Sequence, residues 1–150
     1  MIQGREGAQA ALAAGTPALL WQRLVADTET PVAAALKLIE PGRGDFLLES
    51  VEGGSVRGRH SLIGLAPDLV FRATGAEAAI NRNWLSNRDA FEPCAEPTLE
   101  ALRTLVTSCR MDVPEALPRA LACLVGYFGY ETIGLVEKLD RPPANPLDLP

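Results

Sequence analysis

Apolar residues recur at helical spacing in two short segments near the start of the chain, and a Thr-Pro pair introduces each segment. The pairs are Thr16-Pro17 and Thr30-Pro31. Threonine is a good N-cap residue, and proline suits the first helical position because a helix start leaves its backbone N–H unpaired anyway. Each pair is followed by apolar residues on one helical face: Leu20, Leu24 and Val25, then Val32, Ala35, Leu36 and Ile39. The pattern predicts two amphipathic helices, the second ending before Pro41-Gly42.

From Asp45 the apolar period changes to two, which is typical of a β-strand. Phe46, Leu48 and Ser50 then share one face. Gly53-Gly54 is a strong turn signal, so the segment 57–65 is predicted to return as the partner strand. A second hairpin is predicted from 68–73 and 77–81. Hairpins without alternating βαβ units predict an α+β fold with an antiparallel, sandwich-like sheet and flanking helices.

The rest of the chain predicts a loop, a helix, a buried strand and a last helix. The loop covers 81–96, and the helix follows Pro97 with Leu99, Leu102, Leu105 and Val106 on its apolar face. Leu121–Phe128 is short and almost wholly apolar, which favours a strand buried on both faces. A helix is predicted at 130–138. The last ten residues contain four prolines, a composition typical of an extended linker.

Composition narrows the possible functions. A net charge of −5 argues against nucleic-acid binding, and no apolar stretch is long enough for a membrane span. Three widely spaced cysteines and one histidine make neither a disulfide framework nor a zinc site. With no secretory signal, these features predict a cytoplasmic protein with no protein-built metal site.

No nucleophile lies in a recognisable catalytic motif, so residue chemistry favours a binding module over an enzyme. Ser50 offers a hydroxyl where the strand should continue its apolar face beside a tight turn. Such a hydroxyl can bind the amino or carboxylate group of a ligand while a neighbouring leucine forms an apolar wall. Without further context, a serine bonded to its own local backbone is the commoner arrangement.

Five segments, in the same order, resemble the N-terminal region of anthranilate synthase component I. One segment is Phe46–Gly54, and its Leu-Leu-Glu-Ser-Val-Glu-Gly-Gly run is the most specific part of the resemblance. The others are Glu29–Leu38, Gly58–Gly64, Leu124–Glu131 and Pro142–Leu147. The resemblance extends from about Thr16 to the end of the chain.

The resemblance implies part of a lyase that converts chorismate to anthranilate and pyruvate in tryptophan biosynthesis. That enzyme uses magnesium and ammonia, the latter delivered by a glutamine amidotransferase subunit. The family's chorismate and magnesium residues lie in a C-terminal chorismate-binding domain, so the resemblance transfers no catalytic residue to this chain. It implies a poorly ordered segment at 1–15, an N-terminal domain at 16–140, and a Pro-rich segment at 141–150 leading to the missing domain.

The resemblance also implies a feedback site for L-tryptophan, between the sheet of this domain and a loop of the C-terminal domain. The matching positions are Leu48, Glu49 and Ser50, with Pro31 adjacent. His60 stands where the family more often has another polar or aromatic residue. Two alternatives remain: the N-terminal domain of aminodeoxychorismate synthase component I, which shares this architecture, and a free-standing small-molecule-binding domain.

Overall fold

The computed structural model describes residues 5–49 and 60–138. Contacts group them into two compact units, one of residues 5–24, 72–79 and 93–138, the other of 25–49, 60–71 and 80–92. The elements run in chain order as α1 (Arg5–Ala13), α2 (Pro31–Leu38), β1 (Phe46–Leu48), β2 (Leu62–Gly64), β3 (Val70–Thr74), β4 (Glu77–Asn81), β5 (Glu92–Pro93) and α3 (Thr98–Ser108). Helices with small antiparallel sheets confirm the predicted α+β class.

The first helix lies where the sequence analysis expected poor order. Residues Arg5–Ala13 form α1, with Ala8 buried. Alanine has the highest helix propensity, and Glu6 in the first turn interacts favourably with the helix dipole. Local propensity is therefore sufficient to account for a helix in this segment.

The predicted helix after Thr16-Pro17 is wrong. Residues 16–30 form no helix, and Leu24 and Val25 of its supposed apolar face are largely exposed. Most of the stability of an amphipathic helix comes from packing its apolar face, and this face has no covering surface among the described residues. The helix-start residues Thr16 and Pro17 were therefore not sufficient to form a helix.

The second predicted helix is confirmed as α2. The Thr30 side chain accepts a hydrogen bond from the Ala33 N–H at 3.1 Å, and Pro31 is in the first turn. Ala35 is buried, while Leu36 is exposed. The helix ends at Leu38, and the turn at 41–44 leads into β1.

The first predicted hairpin is confirmed as an antiparallel ladder of β1 and β2. Phe46 pairs with Gly64, Leu47 with Ile63 and Leu48 with Leu62. A Cβ placed on Gly64 would lie 2.0 Å from Phe46 Cε1, so the phenyl ring occupies the space over the glycine. The predicted Gly53-Gly54 turn lies outside the described residues.

The second predicted hairpin is confirmed as β3 and β4, which form a three-stranded sheet in the order β3-β4-β5. The strand β5 lies in the segment predicted as a loop, and its Pro93 is tolerated because β5 is at the edge of the sheet. Asn81 is fully buried; its amide donates to the Asn87 carbonyl at 2.8 Å and its oxygen accepts from the Asn83 N–H at 2.8 Å. These bonds order part of the segment predicted as a plain loop.

The helix predicted after Pro97 is confirmed as α3, which buries Thr98, Ala101 and Leu105. The Thr98 hydroxyl donates to the Gly75 carbonyl at 2.7 Å, joining the helix start to the β3–β4 turn. No helix of the described residues has the length and apolar character needed to span a membrane.

The strand predicted at Leu121–Phe128 is wrong. Arg119–Ala122 forms a short 3₁₀ helix, and residues 123–129 form no regular element. Tyr127 and Phe128 are exposed rather than buried. The last predicted helix is shorter than expected, a 3₁₀ helix at Tyr130–Leu135. A central strand needs neighbours on both sides, and the described residues supply none for this segment. The domain boundaries remain predictions, and 141–150 lies outside the described residues.

Candidate functional site

Four of the five residues predicted to bind an effector lie in the described part of the chain. Leu48 is the last residue of β1 and is half-exposed, and Glu49 follows it in an exposed position. His60 is exposed and precedes β2. Pro31 begins α2 and is half-buried. Ser50 lies outside the described residues.

The β1–β2 ladder brings three of these residues to one end of a hairpin. Leu48 pairs with Leu62, so Glu49 on one strand and His60 on the other lie just beyond the last pair. Pro31 is at the far end of α2 from β1 along the chain, and no hydrogen bond or ion pair of the described residues joins it to the hairpin. The register therefore places Leu48, Glu49 and His60 near the same end of the hairpin, while Pro31 lies on α2.

The outer edge of β1 is free of ladder partners within the described residues. Among residues 5–49 and 60–138 this sheet has two strands, so every ladder bond described for β1 is made with β2. The backbone groups of β1 that point away from β2 can therefore bond a polar ligand group. Beside them, half-exposed Leu48 offers an apolar surface.

A buried carboxylate that the sequence analysis did not single out holds the start of β1. The Asp45 side chain is 0% exposed and accepts from Arg43 Nε at 2.9 Å and 2.8 Å, one distance to each oxygen. It also accepts from the Glu40 N–H at 2.9 Å and the Ala66 N–H at 2.8 Å. Arg43 Nη2 contacts Asp45 at 2.6 Å and donates to the Leu38 carbonyl at 2.9 Å.

These contacts have an electrostatic consequence. The hydrogen bond from Arg43 holds the pKa of Asp45 well below its usual range. Burial opposes that effect, while the N–H groups of Glu40 and Ala66 reinforce it. The same bond raises the pKa of Arg43. Asp45 is therefore a permanently ionised anchor at neutral pH rather than an acid or base for catalysis.

An aromatic group fixes the turn that carries this ion pair. Trp84 Nε1 donates to the Arg43 carbonyl at 2.6 Å, and the Arg88 guanidinium lies 5.4 Å from the centre of the indole ring. Gly44 has φ +94°, and a Cβ there would lie 3.0 Å from Pro67 and 3.2 Å from Trp84 Nε1. Only glycine fits this turn without strain.

The sequence indicates the Arg43–Asp45 ion pair only weakly. Arg43-Gly44-Asp45 places opposite charges around a glycine between a helix end and a strand start. That pattern suggests a charged turn, but Ala66 is 21 positions from Asp45 and nothing local indicates it as a donor.

The described residues contain no group of three or more His, Cys, Asp or Glu side chains that could hold a metal ion. The cysteines at 94, 109 and 123 are free thiols. An open strand edge, an apolar side chain and a carboxylate at one hairpin end can together hold a small zwitterion with an apolar body.

Comparison with known proteins finds relatives that all carry the same name, anthranilate synthase component 1. The chain is 44% identical over 137 residues to anthranilate synthase component 1 of Cereibacter sphaeroides, covering 91% of this chain and 27% of that protein. It is 35% identical over 128 residues to the Arthrobacter globiformis protein of that name, covering 85% and 23%. For the Neisseria gonorrhoeae protein the identity is 36% over 138 residues, covering 87% and 27%.

The chain thus spans about a quarter of the length of the curated relatives it matches. No protein-family model matches it, and no solved structure matches it. The resemblance to anthranilate synthase component 1 found in the sequence is confirmed by these relatives.

Proposed function

We propose that this chain, a relative of anthranilate synthase component 1, is the N-terminal regulatory domain of such an enzyme and forms half of an L-tryptophan feedback site. The observation that carries the proposal is the identity of 44% over 91% of the chain to a protein of that name. The full-length protein would convert chorismate and ammonia to anthranilate and pyruvate. The names of the relatives favour this enzyme over aminodeoxychorismate synthase.

In the proposed site, β1 supplies both polar and apolar contacts to tryptophan. Leu48 packs against the indole ring, since an aromatic ligand gains most from burying its ring against apolar groups. The Ser50 hydroxyl and the backbone groups of β1 that point away from β2 bind the zwitterionic end. Glu49 is placed to attract the ammonium group, and its exposure leaves it free to do so.

Pro31 and His60 have lesser parts in the proposal. Pro31 is half-buried at the start of α2 and adds apolar surface, while exposed His60 lies next to the hairpin end. The exposure of Leu48, Glu49 and His60 is what half a pocket requires, because the opposite wall would come from the C-terminal domain of the full-length protein.

A shared site explains how binding would regulate a distant reaction. A ligand shifts a conformational equilibrium only if it binds one state better than another. A pocket with walls on two domains has that property, since movement of the domains makes or breaks it. Tryptophan would thereby stabilise a conformation of the enzyme that has low activity.

The proposal assigns catalysis to the part of the enzyme beyond this chain. Chorismate and magnesium would be bound by the C-terminal domain. A glutamine amidotransferase subunit, separate or fused, would supply the ammonia.

The experiment that tests the proposal is Ser50→Phe in the full-length protein. Native enzyme assayed with ammonia should form anthranilate, identified by its fluorescence, and tryptophan should inhibit it. The phenyl ring fills the space of the ligand, so the variant should retain most of its activity while the half-inhibitory tryptophan concentration rises by about a hundredfold, the upper range of measured coupling.

Two results would count against the proposal. Formation of aminodeoxychorismate instead of anthranilate would assign the chain to the related synthase. Unchanged inhibition of the Ser50→Phe variant would remove Ser50 from the effector site.

A further inference from the structure

The Arg43–Asp45 ion pair joins the two elements that carry the proposed effector residues. Asp45 immediately precedes β1, and its carboxylate accepts the Glu40 N–H just after α2. Arg43 extends the link by donating to the carbonyl of Leu38, the last residue of α2. The Ala66 N–H adds the chain that follows β2. One buried carboxylate therefore connects the end of α2 with both strands of the hairpin.

We propose that Asp45 and Arg43 are positioning residues of the effector site, which hold the start of β1 against the chain that follows β2 and against the end of α2, and so determine the affinity for tryptophan. This inference rests on the proposed function. The helix and the two strands are each internally hydrogen-bonded, so their relative placement is fixed where they are tied together. Binding groups must be held within about 0.5 Å of the productive geometry, and here that geometry depends on the tie.

Burial separates this ion pair from an ordinary surface pair. The Asp45 side chain is fully buried, and that of Arg43 is 21% exposed. Their contact is two-pronged, through Nε and Nη2 of Arg43, a geometry that fixes orientation as well as distance. The planar guanidinium suits that fork, and a lysine could not reproduce it.

A second ion pair of Arg43, with Glu40, provides a control for the test of Asp45. Arg43 Nη1 lies 2.6 Å from the Glu40 carboxylate, whose side chain is 69% exposed. Exposed pairs of this kind contribute little. Glu40→Gln removes that charge from the same arginine but leaves the Glu40 N–H and the contacts of Asp45 in place.

The test compares Asp45→Asn, Arg43→Gln and Glu40→Gln in the full-length enzyme. Asparagine has the shape of aspartate but loses the charge that holds Arg43. We expect the half-inhibitory tryptophan concentration to rise about tenfold in Asp45→Asn and in Arg43→Gln, with kcat and KM for chorismate within about twofold of native. Glu40→Gln should stay within about twofold in all three quantities.

A general loss of stability is distinguished by Thr98→Val. Thr98 begins α3, and this change removes the hydrogen bond from its hydroxyl to the Gly75 carbonyl. Both residues belong to the compact unit that does not contain Arg43 and Asp45, so the ion pair keeps its contacts. If it raises the half-inhibitory concentration as much as Asp45→Asn does, the inference is overturned. The use of two independent variants of the pair keeps the test decisive if one of them does not fold.

The two hypotheses fail in different ways. Native enzyme that tryptophan does not inhibit would overturn the proposed function and this inference together. Native enzyme that is inhibited, with Asp45→Asn and Arg43→Gln inhibited equally well, would overturn the inference alone.

Discussion

Asp45 makes the stability of the folded chain depend on pH in the acid range. Its pKa is depressed in the folded state by the hydrogen bond from Arg43, against an ordinary value of 3.8. A group with a depressed folded pKa contributes stability above its unfolded pKa and loses that contribution as pH falls through both values. The free energy of unfolding should therefore fall from about pH 5 downwards. Urea titrations at several pH values between 7 and 3 measure this free energy. It should fall less with decreasing pH in Asp45→Asn than in the native chain, and an equal fall in both would contradict the role given to Asp45.

The same residue shows the limit of sequence reasoning at this scale. The change of period at Asp45 correctly marked the start of a strand, because alternation is a local property. Its role as an anchor depends on Ala66, which takes a positive φ of 52° that alanine adopts only at a cost. Neither the distant donor nor the strained backbone has a local signal.

At the scale of elements, the β1–β2 ladder depends on the packing of Phe46 on one strand over Gly64 on the other. The Phe46 ring fills the space over Gly64, so Gly64→Ala would force the ring out of its place. We expect the variant to lose about 1–3 kcal/mol of unfolding free energy, the usual effect of overpacking. Chemical denaturation followed by circular dichroism measures the loss.

Gly7→Ala is the matched control for this prediction. Gly7 lies in α1 with no atom within 4 Å of an added Cβ, so alanine there should stabilise by about 0.5–1 kcal/mol. A double-mutant cycle with Phe46→Leu isolates the contact, because Gly64→Ala should cost less when the ring is absent. An equal cost in both backgrounds would show that Phe46 is not the cause.

Elements that the sequence predicted correctly are those stabilised by short-range features. α2 has its threonine cap, and the β3–β4 hairpin has its turn at Gly75-Ala76. The failures at 16–25 and 121–128 concern segments whose apolar side chains need a partner surface. In the proposed site, the hairpin residues come from the sequence resemblance and stay a prediction, whereas the Arg43–Asp45 ion pair became visible only in the structure.

At the scale of the whole molecule, the described chain exposes much apolar surface near its C-terminal end. Tyr127, Phe128 and Tyr130 are 67%, 71% and 84% exposed. Large aromatic side chains are enriched at interaction sites relative to the rest of a protein surface. The relatives are about four times as long as the part they share with this chain, which provides a candidate partner in the rest of such a protein.

This apolar surface and the open hairpin end lead to one prediction for the chain on its own. The isolated 150-residue chain should show no synthase activity and should bind tryptophan weakly or not at all, because the proposed pocket then has one wall. Calorimetric titration measures the binding, with the full-length protein as the positive control. Its exposed apolar segment should also cause self-association, visible as a concentration-dependent mass in sedimentation experiments. Replacing Tyr127 and Phe128 with serine should reduce that association without restoring tryptophan binding. Tight binding by the isolated chain would mean that the effector site is complete within these residues, and the two-domain account of regulation would then be wrong.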